Sequence, residues 1–366
     1  LEETIRDALR RSDIVISTGG LGPTEDDITR KVSARAVGRE LVFREDVLAE
    51  VAKRFEQMKR QMPEINRRQA FVIEGARVLP NPNGSAAGMS LETEGKFFVI
   101  LPGPPRENKP MFENFVLPKL RESAGEIFVK RRILRVAGMG ESAVDERIAP
   151  IYLKYENPQT TILFNRSEIE IHLTAQGKTE NEVENLLDEV AGEIAATLGS
   201  SVFSVNDETM EEVIGKLLTE NGKTVALAES CTGGLIAERL TEVSGSSRYF
   251  IEGVVAYANE AKTRTLNVPA DLIEKHGAVS VEVAEAMAKG MRERAQTDYA
   301  VSVTGIAGPG GGSLEKPVGL VFIGFASEME TTSIKINLPG DRYLIRWRAS
   351  QAAFDFLRRK ILKKHE

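Results

Sequence analysis

Apolar positions along the chain recur at two spacings, and the alternation between the two sets out its organisation. Apolar residues at helical spacing predict amphipathic helices over residues 1–11, 30–37, 45–62, 179–198, 208–221 and 235–243. Short apolar or alternating runs predict strands at Asp13–Thr18 and Phe97–Leu101, both read as buried, and at Val129–Val136 and Glu168–Thr174. Further strands are expected at Val225–Glu229, Val254–Tyr257, Asp298–Thr304 and Lys316–Gly324. Gly138–Gly140, Asn259 and Gly277–Ser280 open helices, and a basic helix closes the chain with its Lys and Arg on a solvated face. Strand, loop and helix follow one another in the first and last parts, the pattern of α/β folds, around a small α+β module. The divisions fall at residues 1–122, 123–207 and 208–366.

The loops at the strand ends carry the candidate chemistry. Thr18–Thr29 holds Gly19, Gly20, Gly22 and Thr24, and Pro23 and Thr24 are expected to start the next helix with Glu25, Asp26 and Asp27 in its first turn. Its amides suit a phosphate, and Asp26 or Asp27 suits a divalent cation that takes its remaining oxygens from that phosphate. Ligands of open α/β sheets sit at the carboxyl ends of strands, so the loops 18–29, 81–88 and 102–107, with Gly103, are expected at one edge. Arg67 and Arg68 read as a solvated face. In the last part, Ser230–Gly234 joins a strand to a helix, and unpaired helix amides there favour an anion; an ordinary Ser or Thr N-cap is the alternative. Gly-, Ser- and Thr-rich loops at 245–259 and 304–312 flank it, and Arg342 could complete an anion clamp.

Composition narrows the chemistry. The 366 residues suffice for two or three domains, and a net charge of −6 gives no general basic footprint, which argues against direct nucleic-acid binding. A single cysteine, Cys231, excludes an internal disulfide and fits a reducing cytoplasm; no apolar run reaches the 18 residues of a membrane span. The three histidines, His172, His276 and His365, are far apart, so neither a histidine triad nor a histidine-rich zinc site is expected. A nucleophile here needs another base, and Lys262, just past a strand end, is the candidate. Ser230, Cys231, Ser246, Ser247 and Thr304 all stand open as nucleophiles by spacing alone, with Cys231 read as inert core.

Ala228–Gly234, Tyr257–Lys262, Gly277–Ser280, Thr304–Gly312 and Lys316–Gly319, in that order, resemble the C-terminal domain of the competence/damage-inducible protein A (CinA) family. Ser17–Thr29 and Leu101–Glu107 are similar to that family's N-terminal domain, and the Gly138–Glu141 loop is similar to the Gly-x-x-Gly loop of KH modules. Glu141, Asp145 and Glu146 would repel nucleic-acid phosphates, so the module is read as structural or dimerising. The resemblance implies a three-layer molybdopterin-binding-protein-like domain, a KH-like α+β module and an α/β amidase domain. It implies hydrolysis of nicotinamide mononucleotide to nicotinate mononucleotide and ammonia without a cofactor. The first domain would act as an ADP-ribose pyrophosphatase with a divalent metal (Co2+ or Mg2+-like) at Asp26 and Asp27. By the same resemblance Ser247 is the nucleophile, Lys262 its base and Tyr257 a catalytic neighbour. Ser230, Thr232, Gly233, Gly234, Thr304, Gly305, Gly308 and Arg342 would line the nucleotide site. The expected protein is a bacterial cytoplasmic homodimer that touches neither membrane nor nucleic acid; the alternative is a non-catalytic nucleotide or molybdopterin-like binder tied to competence or DNA damage. The family's first domain opens with a strand and a Gly-Thr-Glu loop that nothing here matches. An edge or central strand and one wall of the first site are therefore expected to lie outside this chain.

Overall fold

The computed structural model describes residues 1–124 and 127–362, in two compact units, residues 1–126 and 127–366. His365, in the Lys-rich tail, lies outside the described residues.

The first unit holds β1 (Ile14–Thr18), β2 (Leu41–Phe43), β3 (Phe71–Ile73), β4 (Arg77–Leu79), β5 (Gly88–Thr93) and β6 (Lys96–Leu101). Its main sheet runs β1-β6-β5-β4, with β1 and β6 parallel and the rest antiparallel; β2 and β3 pair separately. Phe98, Ile100 and Met89 pack with Ile5, Val47 and Ile73 on one face. Val99 and Leu101 pack with Met111 and Val116 on the other, giving three layers. β1 is not the buried strand its composition predicts. It is an edge strand whose only partner among the described residues is β6, which leaves Ile14 43% and Ile16 40% exposed. The helix expected over 45–62 ends at Gln57.

The second unit begins with β7 (Phe128–Val136), β8 (Gln159–Asn165), β9 (Glu168–Gly177) and β10 (Val202–Ser204), an antiparallel sheet in the order β10-β7-β9-β8. Helices Glu141–Tyr152 and Glu180–Leu198 bury Val144, Ile148, Leu187 and Ile194 against Leu134, Ile169 and Ile171. Thr179 caps the second helix, accepting the Glu182 amide on its side chain.

The sheet that follows holds β11 (Val225–Glu229), β12 (Phe250–Val255), β13 (Tyr299–Gly305), β14 (Leu320–Ala326) and β15 (Thr331–Asn337), in the order β12-β11-β13-β14-β15. The first three are parallel, and β14 and β15 are antiparallel. β12 covers part of the Gly-Ser-Ser stretch read as a loop, and β15 has no counterpart in the sequence reading. β11 is buried along its whole length because both faces are covered, as parallel strands require. Helix Val281–Ala295 packs Val283, Met287 and Met291 on one face; helices Met210–Glu220, Leu235–Glu242 and Arg342–Leu362 cover the other. The closing helix is not simply a solvated basic face: Arg358 is 3% exposed and donates to the Ser200 carbonyl. A buried polar chain ties the helices to the antiparallel sheet. Arg239 donates to Ser350 and Gln351, and Gln351 donates to Glu168, which also faces Arg135 at 3.1 Å.

Candidate active site

Three parallel strand ends converge in the last sheet. β11 and β13 are in register at Glu229 and Val303, and the Ser230 amide donates to the Val303 carbonyl at 2.9 Å. Ser230 and Thr304, the next residues on each strand, therefore stand side by side, roughly 4.8 Å apart along the backbone. From the end of β12 the chain turns at Ala256–Ala258 into helix Asn259–Leu266, which carries Lys262 inward until it is 1% exposed. Lys262 Nζ lies 2.9 Å from the Ala256 carbonyl, 3.1 Å from the Tyr257 carbonyl and 3.0 Å from Ser230 Oγ.

All three partners are neutral, so no paired anion offsets the cost of burying a charged amine here. Burial, as the main cause, holds Lys262 below its ordinary value, against the weaker pull of Cys231 and Glu260. A neutral amine has two hydrogens and one lone pair. The two carbonyls can only accept: a neutral amine gives them its two hydrogens and turns its lone pair to Ser230, whereas the ammonium donates to all three. Cys231, 5% exposed, cannot compete as a nucleophile: burial pushes its thiol up to about 12 and keeps it protonated.

A cavity of about 270 Å³ opens over the pair, lined by Ser230, Tyr257, Lys262, Thr304, Gly308 and Arg342 among others. Arg342 donates to the Gly308 carbonyl at 2.7 Å and to Tyr257 Oη at 2.8 Å, which ties the glycine loop to the end of β12. A guanidinium carries five N–H groups, so Arg342 keeps donors for an anion at the rim.

In the first unit the strand directions bring the three loops to one end of the sheet, since Thr18 pairs with Leu101 and Leu79 with Gly88. A Cβ on Gly103 would stand 3.4 Å from the Gly19 Cα, and Asn81 donates to Glu107 at 2.8 Å. Gly20 has φ +65°, and a Cβ there would meet Thr29 Oγ1 at 2.1 Å, so only glycine fits.

Comparison with known proteins gives a family to this architecture. The family model described as "CinA C-terminal domain" matches residues 207–361, "Damage-inducible protein CinA KH domain" 131–204 and "Probable molybdopterin binding domain" 1–122. A CinA-like protein of Solibacter usitatus is 48% identical over 364 residues, covering 100% of this chain and 88% of that protein. The chain belongs to the CinA family. A second CinA-like protein, from Koribacter versatilis, is 46% identical over 366 residues and covers 99% of this chain and 88% of that one. The crystal structure of the competence/damage inducible protein CihA from Agrobacterium tumefaciens is 40% identical, covers 42% of this chain and 96% of that chain, and has a TM-score of 0.40. Among the described residues of this CinA chain no helix is long and apolar enough to cross a membrane.

The expected CinA site residues divide. Ser230, Lys262, Tyr257, Thr304, Gly305, Gly308 and Arg342 line one cavity. Ser247 is elsewhere. It sits exposed on the short 3-10 turn Ser246–Arg248 that leads into β12, whereas Lys262 follows the other end of that strand. A six-residue strand spans about 20 Å, so Ser247 and Lys262 cannot act as a pair within one chain. The turn Thr232–Gly234 is not an open anion cradle either. The Glu229 carboxylate accepts the amides of Gly234 (2.9 Å), Ile236 (3.1 Å) and Ala237 (2.8 Å), so the helix start already holds the protein's own anion. Neither Ser nor Thr caps that helix; Gly234 is its N-cap, with φ +95°. Thr232 is fully buried, and its carbonyl accepts from Arg346.

In the first domain the helix starts at Thr29, not at Pro23. Asp27 turns back to accept the Thr24 amide (3.0 Å) and hydroxyl (2.6 Å), and Asp26 accepts from the same hydroxyl, which holds residues 22–28 as a loop. Among the described residues no three His, Cys, Asp or Glu side chains converge as a metal site. Arg67 and Arg68 are exposed, as expected of a solvated face, and Arg68 pairs there with the exposed Glu25 at 2.7 Å.

The capping role of Glu229 was not singled out from the sequence. Two glycines directly before an apolar helical run, with no hydroxyl residue at the N-cap, are the one signal for a capping carboxylate on the preceding strand.

Proposed function

We propose that the C-terminal domain is an amidase that hydrolyses nicotinamide mononucleotide to nicotinate mononucleotide and ammonia, with Ser230 as nucleophile and Lys262 as its base. The observation that carries this reading is the buried Lys262 amine, which sits within hydrogen-bonding distance of two backbone carbonyls and of Ser230 Oγ, the last at 3.0 Å. Ser230 attacks the carboxamide carbon while its proton passes to Lys262; the same proton then leaves with the nitrogen as ammonia. Water, deprotonated in turn by Lys262, hydrolyses the acyl-enzyme to the carboxylic acid. The turn amides of Gly233 and Gly234 are spent within the protein, which supports the glycine loop after Thr304 as donor to the oxyanion. Arg342 at the rim would hold the ribose phosphate, and Tyr257, fixed by Arg342, would flank the ring. Ammonia release from nicotinamide mononucleotide, with nicotinamide riboside as the phosphate-free control, tests the reading. No ammonia from the wild type overturns it.

For the first domain we propose metal-dependent cleavage of ADP-ribose. The three loops at one sheet end, and the Asp26–Thr24–Asp27 cluster on one of them, support this. A divalent ion bound there would neutralise the pyrophosphate, and the loop amides would position it. AMP formation from ADP-ribose with Mg2+ or Co2+ is the test; binding without AMP would leave the non-catalytic ligand-binding reading.

A further inference from the structure

We infer that Thr304 is the residue that reads the substrate as an amide, and that Lys316 sets it to do so. This deepens the amidase reading and rests on it. Thr304 lines the cavity beside Ser230, is 1% exposed, and donates its hydroxyl hydrogen to the Ala278 carbonyl at 2.8 Å. A carbonyl can only accept, so the direction of this bond is fixed and the single hydrogen of Thr304 is spent. What the hydroxyl offers a ligand is lone pairs alone. A carboxamide presents N–H to them; a carboxylate presents only oxygen, and its lone pairs would oppose those of Thr304. The side chain therefore favours the amide, turns its nitrogen toward β13, and disfavours retention of the acid product.

The Ala278 carbonyl keeps its place because Lys316 holds the segment around it. Lys316 Nζ donates to the His276 carbonyl at 2.7 Å and to the Val279 carbonyl at 2.8 Å, on either side of Ala278. Its own loop is fastened by the Lys316 amide on Ser313 Oγ and the Ser313 amide on the Lys316 carbonyl. Lys316 is thus a positioning residue, two contacts removed from the reacting carbon, and this gives the Lys316–Gly319 motif a task.

The test is the ratio of dissociation constants for nicotinate and nicotinamide mononucleotides, measured by calorimetry on the full chain with Ser230→Ala in every protein compared, so that the amide is bound and not consumed. Sites built to hydrogen-bond an N–H discriminate strongly against a partner lacking it, so the Ser230→Ala parent should favour the amide by about tenfold or more. Thr304→Val, which keeps the shape and removes the lone pairs, should bring the ratio close to one, whereas Thr304→Ser should preserve it. Lys316→Met should lower the ratio part of the way and Lys316→Arg should restore it; because Lys316 lies on a surface loop, this pair carries the test if Thr304→Val does not fold. A Thr304→Val or Lys316→Met protein with the parent's ratio overturns the inference and leaves the amidase standing. A parent that binds neither nucleotide, or a wild type that releases no ammonia, overturns both.

Discussion

Replacing Lys262 with methionine separates the roles of the buried amine. Methionine matches the lysine stem and carries neither charge nor lone pair toward Ser230. Loss of a general base costs about 10²- to 10⁴-fold, which is about 3–5 kcal/mol of barrier, and the amine touches no other polar group that a nucleotide would use. Lys262→Met should therefore lower kcat by that factor with KM within about threefold, read as ammonia release from nicotinamide mononucleotide. In the wild type kcat/KM should rise with pH until Lys262 is neutral and then level off, and because burial lowers that pKa the limb lies below the ordinary lysine range.

Stability gives an independent check, with the opposite sign to a salt bridge. The folded-state pKa of Lys262 lies below its unfolded value, so its contribution is fully present above the unfolded pKa. As pH falls through the window down to the folded pKa, the unfolded chain takes up the proton first and stability is lost. The melting temperature of Lys262→Met relative to wild type should therefore rise as the pH is lowered below about 10, the ordinary lysine value. A variant within tenfold of wild-type kcat, or a relative melting temperature that falls over that range, would refute the assignment.

Ser230→Ala should abolish ammonia release and any trapped acyl-enzyme, while Ser247→Ala, exposed at the far end of β12, should keep near-normal kcat; the reverse result would restore the Gly-Ser-Ser turn as nucleophile. Arg342→Ala should raise KM for the nucleotide roughly 10- to 100-fold and leave kcat within a few-fold, since its contribution is binding a group remote from the reacting carbon. Glu229→Ala strands three amides at a helix start and should cost about 2–4 kcal/mol, seen as a lower melting temperature. Asp26→Asn should remove metal-dependent AMP formation from ADP-ribose with the amidase untouched; it disturbs fewer loop contacts than a change at Asp27, which accepts both the amide and the hydroxyl of Thr24.

The α/β alternation, the strand-end loops and the motifs of three family domains were legible, because each rests on local sequence. Asp13–Thr18 shows the limit of such reasoning. Its run of Ile, Val and Ile reads as buried, yet burial of a strand depends on neighbours on both sides, and β1 has one among the described residues. Strand β15 escaped notice because its burial is intermittent and its residues, Thr331–Asn337, are mostly polar.

The nucleophile is where spacing and topology part company. Ser247 lies 15 positions before Lys262 and Ser230 lies 32 before it, so closeness along the chain favours the serine that the strand directions hold away from the amine. What reverses the order is that β12 is parallel to β11. A parallel neighbour must return to the same starting edge, so a residue entering β12 and a residue leaving it are separated by the whole strand. Residues leaving β11, β12 and β13 share one edge however far apart they are in sequence, and Ser230, Tyr257 and Thr304 are those residues. The same geometry explains why Glu229 could not be foreseen as a cap: its carboxylate reaches the helix only because Gly233 and Gly234, at φ +62° and +95°, fold the turn back over the strand end. That turn satisfies its own anion requirement internally and leaves Ser230 as its one side chain within hydrogen-bonding distance of Lys262. The amine, held by two carbonyls, has that hydroxyl as its third partner, and this contact supports the proposal of Ser230 over Ser247 once the strand directions are known.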